Sequence, residues 1–258
     1  MYVVTELWRY PMKSMQGERV AATTIDAQGF VGDRGRAVVD VQTGKAASGS
    51  WAARRWADLV TWSAAYVAEP GGCGPIPEVR VTSPSGERFT VGGPDDDAML
   101  SRRLGRDVRV AVGQQDDAMS GHHPPGTFWD VAPIHVLTTS TLASLAALAP
   151  GSAFDARRFR PNLVIDTGGD PGFPENDWLG SMLSIGSGVR LRITGDCPRC
   201  VMTTHAQADL PKDNGILQAA ARSNGGNVGV YAEVVRSGQV YVGDGVRVIR
   251  EAEISGAR

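Results

Sequence analysis

The chain has 258 residues, a formal net charge of −2, 42% hydrophobic and 21% charged residues. That is the composition of an ordinary globular protein with a substantial core. It supplies no overall basic field for nucleic acid or an anionic membrane, so an anionic ligand would need a local basic pocket.

No apolar run approaches the ~20 residues that span a bilayer. Met1 to Trp8 lacks the basic start and cleavage site of a signal peptide and reads as a first strand. Three cysteines, Cys73, Cys197 and Cys200, are too few and too odd in number for a disulfide framework. They point to a reducing compartment, by default the cytoplasm.

In chain order, strands are predicted at Tyr2 to Trp8, Arg36 to Val41, Val79 to Thr82, Arg88 to Val91 and Val108 to Val112. Others follow at Leu163 to Asp166, Val189 to Thr194, Val228 to Arg236 and Val246 to Ile249. Glycines (32) and prolines (15) punctuate these short runs, which favours a barrel or sandwich over a βαβ array. Helices are predicted at Trp51 to Asp58, Asp96 to Leu104, Thr139 to Ala149, capped by Thr139 or Ser140, and Asn214 to Ser223. The fold class is therefore mainly β with a few helices. The polar, turn-rich stretch Gly113 to Thr127 reads as a boundary or long loop. It divides a β-rich part, residues 1–112, from a second one, 113–258. His122 and His123 in that stretch could flank a pocket, with a solvated position favoured, and Cys73 in a Gly/Pro loop is given no role.

Four segments can carry chemistry. Cys197-Pro198-Arg199-Cys200 follows an apolar strand and offers the soft nucleophile and metal ligand, with an arginine that favours the thiolate. A zinc half-site lacks a second pair of ligands. A redox pair normally opens a helix, whereas Val201 to Thr204 reads as extended. Two small buried residues in a proline turn is the plain alternative. Lys13 and Ser14, in Tyr10-Pro11-Met12-Lys13-Ser14, suit an anion; a solvated lysine is the plain alternative. Arg34 and Arg36 flank Gly35 at the start of a strand, where they would point the same way as an anion clamp. Alternatively, Arg34 pairs with Asp33 or Asp26. In Arg157-Arg158-Phe159-Arg160-Pro161-Asn162, the proline predicts an extended Arg160, a fixed donor fork. The dinucleotide, P-loop and nucleophile-elbow motifs are missing.

Taken in order, these segments resemble the MOSC family in its two-part form, an N-terminal β-barrel domain (1–112) followed by the MOSC domain (113–258). Asp130-Val131-Ala132-Pro133, Thr203-Thr204, Asn227-Val228-Gly229-Val230-Tyr231-Ala232 and Val242-Gly243-Asp244 add to the resemblance. It is similar to the mitochondrial amidoxime-reducing component and its bacterial relatives. The resemblance implies a pterin-based molybdenum cofactor, with Cys200 as metal ligand and catalytic residue. Lys13, Ser14, Asp130, Arg34, Arg160, Asn162 and Arg199 would bind the cofactor. The family's hydroxyl residues beside Asp130 are replaced here by Val131 and Ala132. A family-level association with pyridoxal phosphate also exists.

The activity so implied is reduction of small N-hydroxylated or N-oxide substrates, using two electrons and two protons and releasing water. Some relatives carry a fused ferredoxin domain; this sequence, ending at Arg258, has no such cysteine run, so a separate electron-donor protein is expected. Two other readings accompany this one. Cys200 could hold a persulfide in a sulfur carrier or cofactor carrier protein, or the chain could be a binding protein without activity.

Overall fold

Strands form where apolar and polar residues alternate between glycine or proline turns. The computed structural model describes residues 1–48, 53–71, 75–113 and 127–250. Its first half contains β1 (Tyr2–Arg9), β2 (Glu18–Val20), β3 (Ala22–Asp26), β4 (Gly29–Phe30), β5 (Arg36–Asp40), α1 (Ala53–Trp56), β6 (Ser63–Tyr66), β7 (Val79–Thr82), β8 (Arg88–Val91), α2 (Asp96–Leu104) and β9 (Val108–Val112). The second half contains β10 (Ile134–Thr138), α3 (Thr139–Leu148), α4 (Ala156–Phe159), β11 (Leu163–Asp166), β12 (Met182–Ile185), β13 (Val189–Pro198), α5 (Gly215–Asn224), β14 (Asn227–Arg236), β15 (Gly238–Tyr241) and β16 (Gly245–Ile249). Cys73, His122, His123 and nearly all of the polar stretch before Thr127 lie outside the described residues.

Seven strands close a barrel in the order β11, β10, β14, β13, β12, β16, β1, with β1 returning to β11. An odd-numbered ring cannot alternate in direction throughout. The parallel pair falls at β10–β11, where α3 and α4 supply the long crossover that a parallel pair needs. Val4, Leu7, Ile134, Val136, Leu163, Ile165, Leu191 and Val230 fill the interior. Leu137, the next residue along β10, turns outward to pack with Leu145, Phe159, Ile216 and Val228 under the helices. Both faces of β10 are buried along its whole length.

The first half adds a β5–β9 pair and a β6–β7–β8 sheet, packed around Met12, Met15, Trp56, Leu59, Val81 and Leu100. The segment leaving β1 threads between them: Met12 bridges to Arg36, and Gln16 bridges to Ser63. Strand pairing crosses the 112/113 boundary, since β1 is a barrel strand and β3 pairs with β15.

Three local expectations are corrected. Thr138, not Thr139 or Ser140, caps α3: it keeps extended backbone angles, and its hydroxyl accepts from the Thr141 amide at 3.1 Å. Of the helix expected over Trp51 to Asp58, the described residues form α1 followed by a 3-10 turn, Ala57–Thr61, while Trp51 and Ala52 lie outside the described residues. Val201–Thr204 is a 3-10 turn rather than extended. There the Thr203 and Thr204 hydroxyls donate back to the carbonyls of Cys200 (3.0 Å) and Val201 (2.7 Å), tightening the turn. Among the described residues no helix is long and apolar enough to cross a membrane.

Candidate functional site

Where β1 ends, the chain turns at Pro11 and buries Tyr10 between the two halves. The Tyr10 amide donates to Asp33 Oδ1 (2.8 Å), and its hydroxyl donates to the Pro161 carbonyl (3.0 Å). Its ring carries two guanidinium groups, Arg160 at 4.2 Å and Arg34 at 4.8 Å from the ring centroid. Such contacts favour a cation held away from water. Gly17 allows this packing, since a Cβ there would lie 2.6 Å from Tyr10 Cδ1.

Four described non-glycine residues have positive φ: Ser14 (66°), Arg34 (49°), Arg160 (55°) and Ala208 (46°). The left-handed region costs an L-residue about 1–2 kcal/mol, and such strain collects where surroundings over-determine a functional geometry. Three of the four are residues that the sequence singles out as anion binders.

Arg160 is not extended, as its place before Pro161 predicts. It closes α4 in a left-handed turn, its amide donating to the Ala156 (3.1 Å) and Arg157 (3.3 Å) carbonyls. The proline bars another right-handed turn, and the left-handed one still satisfies the helix end. The side chain reaches the Met15 carbonyl. The paired clamp of Arg34 and Arg36 does not form either. Arg34, in its left-handed turn, pairs with Asp33, whereas Arg36 donates to the Ile76 (3.0 Å) and Pro77 (2.7 Å) carbonyls.

Lys13 is buried; its Nζ donates to the Phe128 carbonyl at 2.8 Å and pairs with the exposed Asp130. Ser14 donates its hydroxyl to the Ala47 carbonyl at 3.1 Å. Asn162 is brought beside the cluster but engaged elsewhere. Its Oδ1 accepts from the His135 amide (3.1 Å), and its Nδ2 donates to the Trp8 carbonyl (3.3 Å). It stitches β1 to β10.

Charge is crowded here. Burial pushes the Lys13 ammonium below its usual range, and Arg34 and Arg160 add repulsion against the pull of Asp130. Burial, then Arg34, lowers Arg160 to about 10. Burial also opposes the charge on Arg34, but Asp33 reverses the balance and raises it. Tyr10 is pushed up by burial, although Arg160, Arg34 and Arg199 all favour its anion. That last influence ties Arg199 to the same cluster.

β13 ends at Pro198, burying Cys197 and leaving Cys200 half-exposed at the head of the 3-10 turn. Arg199 lies between them. Its Nη1 donates to Cys197 Sγ at 2.7 Å and its Nη2 to the Phe159 carbonyl at 2.8 Å. Burial works against its charge, but Cys197, Tyr231 and Cys200 outweigh it and raise its pKa. Burial likewise opposes a Cys197 thiolate, yet Arg199, His135 and Tyr231 together bring it down to about 6. The structure therefore brings together Lys13, Ser14, Arg34, Asp130, Arg160 and Arg199, with Cys200 joined to the cations through Arg199. Sequence reasoning missed Tyr10, His135 and Tyr231 as members. Tyr10 and Tyr231 stand inside motifs already noted, but His135 in its apolar strand carries no local signal.

Among solved structures, the YuaD protein from Bacillus subtilis is 15% identical to this chain, with a TM-score of 0.50 and 96% of each chain covered. YiiM from Geobacillus stearothermophilus is 20% identical and YiiM from Escherichia coli 17%; each covers 46% of this chain and 55% of its own, with a TM-score of 0.35. At such identity the likeness to YuaD speaks to the fold alone. No curated protein matches. The sequence matches the MOSC N-terminal beta barrel domain over residues 1–102 and the MOSC domain over residues 123–247. Barrel and both domain matches agree: the chain belongs to the MOSC family, whose domains are associated in general with molybdenum-cofactor binding.

Proposed function

We propose that this chain binds a molybdenum–pterin cofactor at Cys200 and the surrounding cations. With it the protein reduces N-hydroxylated or N-oxide substrates, taking electrons from a separate donor protein. The observation that carries this reading is Arg160. It is 7% exposed, and among the described residues no carboxylate lies within 4 Å of it. A buried guanidinium without a counter-ion is unfavourable, and a bound anion removes the penalty. The neighbourhood fits a phosphate-bearing group, because among the described residues the carboxylates of Asp33 and Asp130 are the ones that Lys13, Arg34, Arg160 and Arg199 face. It fits a soft metal too, since Cys200 offers a reachable thiol.

Bound there, the group would supply two-electron oxygen-atom chemistry. The protein's own contribution is to hold and orient. Cys200 would ligate the metal, with the Arg199 guanidinium beside it. Lys13, Arg34 and Arg160 bind the pterin's anionic groups, in a loop whose turn Ser14 makes. Asp130 keeps Lys13 in place at the exposed lip, and Asn162 fixes the backbone beneath. Two free thiols, Cys197 and Cys200, accord with a reducing, cytoplasmic setting.

Gently purified protein should contain molybdenum and release a fluorescent oxidised pterin on denaturation. Cys200→Ala should lose the metal, and Arg160→Met should lose the pterin. The loaded protein should reduce a hydroxylamine or amidoxime with a viologen donor. Tight molybdenum binding that survives Cys200→Ala would refute ligation. A cyanide-labile sulfur on Cys200 without molybdenum would instead support the sulfur-carrier reading.

A further inference from the structure

Cys197 has no part in the reading above, yet it is the more thoroughly built of the two cysteines. It is fully buried near the end of β13. Arg199 Nη1 approaches its sulfur to 2.7 Å, a distance usual for a charge-assisted bond to a smaller oxygen anion. His135 on β10 and Tyr231 on β14 lie beside the same sulfur, their rings 6.1 Å apart. His135 Nε2 donates to the Val228 carbonyl at 2.9 Å, which holds the imidazole in one orientation. Gly229 permits this approach, since a Cβ at its positive φ of 79° would collide with the His135 ring.

Arg199 is fixed on three sides: Nη1 to Cys197, Nη2 to the Phe159 carbonyl, and its backbone amide to the Gly226 carbonyl at 2.9 Å. Among the described residues no carboxylate lies within 4 Å of its guanidinium, so the sulfur is its anionic partner. Its Nε is buried and has no acceptor among the described residues. A buried donor left open calls for an acceptor from outside the chain.

We propose that Cys197 is a positioning residue. Its sulfur is a built-in anion that locks the Arg199 guanidinium beside Cys200, so that Arg199 Nε serves as a fixed donor to the anionic group bound at Cys200. The identity of that group rests on the molybdenum–pterin reading; the Cys197–Arg199 ion pair does not. In this arrangement one arginine is shared between an internal thiolate and an external ligand, while Cys200 keeps its own sulfur for the metal.

Two measurements test this separately. In apoprotein carrying Cys200→Ser, ultraviolet thiolate absorbance at neutral pH should fall when Cys197→Ser is added, with Cys73 common to both samples. It should fall equally when Arg199→Met is added instead. Absence of the signal, or its persistence in the Arg199→Met protein, overturns the ion pair. In protein with Cys200 intact, Cys197→Ala should lower retained molybdenum and pterin by about ten- to a hundredfold, the usual effect of removing a group that orients a ligand. Cys197→Asp, which restores an anion of similar volume, should recover most of it, a rescue that mere packing would not give. Full loading of Cys197→Ala, or loss in Cys197→Ala without rescue by Asp, overturns the positioning role. If the wild type holds no molybdenum while the thiolate signal stands, the cofactor reading fails and the ion pair survives. Should Cys197→Ala fail to fold, the absorbance comparison still decides.

Discussion

Replacing Arg160 with methionine separates ligand binding from folding. Burial and the repulsion from Arg34 bring Arg160 down to about 10. At 1.36 kcal/mol per pKa unit, its positive charge costs the ligand-free fold roughly 3 kcal/mol. Arg160→Met removes that cost while keeping a long apolar side chain over Tyr10. It also removes the charged hydrogen bond to the Met15 carbonyl, about 1.5–3 kcal/mol, and the contact with the Tyr10 ring, about 1 kcal/mol. The left-handed strain stays, because methionine bears a Cβ as well. The opposing contributions cancel to within about 1–2 kcal/mol, so urea unfolding of the apoprotein should show little change. Arg158 is the control. It is fully buried but donates to four carbonyls, those of Ala153 (3.0 Å), Thr203 (3.3 Å), His205 (3.3 Å) and Pro211 (2.8 Å). Arg158→Met leaves those acceptors without a donor and should cost about 3 kcal/mol or more. Inorganic phosphate should stabilise the wild type, by about 2.7 kcal/mol at a hundredfold excess over its Kd, and leave Arg160→Met unchanged. The sign of the pH effect follows from a depressed base. The unfolded chain binds the extra proton, so wild-type stability rises relative to the variant as pH climbs through about 10. A loss of 3 kcal/mol or more in Arg160→Met apoprotein, matching the Arg158 variant, would refute the claim that this charge awaits a ligand.

Gly229→Ala should destabilise the protein by about 3 kcal/mol or more by urea unfolding, because the new Cβ meets the His135 ring and the Val136 carbonyl at a φ of 79°. Ala208→Gly should act oppositely. Its φ of 46° lies in an exposed loop outside the cation cluster, so relief of strain should add about 1 kcal/mol, seen as a melting rise of about 2–4 °C. Cys197, lowered to about 6, predicts acid-sensitive stability. Its ionised form stabilises the fold fully above the ordinary thiol range, and that contribution fades as pH falls through about 6. Denaturant midpoints taken across this range should converge on those of Cys197→Ala at the acid end.

What could be read from the sequence was whatever is decided locally. α2 occupies its predicted limits because Asp96 and Asp97 open it, Arg102 and Arg103 close it, and Gly105 ends it at a φ of 64°. β7 and β8 likewise coincide with their predicted runs. By contrast, β2, β4, β6, β12 and β15 are two to four residues long, and their partners define them. Met182–Ile185 is a strand because β13 and β16 flank it on both sides. At the site, the types and order of the charged residues were legible, but their backbone was not. Left-handed turns at Ser14, Arg34 and Arg160 run against local preference and exist only because distant segments hold them. Tyr10 illustrates the same limit, since its role depends on two arginines that its own neighbourhood does not announce.

The topology explains why charge and strain meet at this place. β1 belongs to the barrel through β11 and β16, yet the residues that follow it thread between β5 and β6. The segment from Tyr10 to Gln16 therefore delivers Lys13 and Ser14 to a seam that α4 and the turn before β5 also reach, with Arg160 and Arg34. The chain beyond β13 adds Arg199. No one of these elements assembles the cation cluster alone, and the cations repel one another once assembled. Packing of the apolar cores on either side must hold them together in the absence of an anion. A ligand that neutralises them then returns part of that energy as affinity, and draws the two halves of the chain together at the same point. Strain of this kind would be selected against in a seam that served packing alone, where Tyr10 could be flanked by apolar side chains with no penalty. Its presence at Ser14, Arg34 and Arg160, the two arginines lying against the Tyr10 ring, is what the proposed binding site accounts for and packing does not.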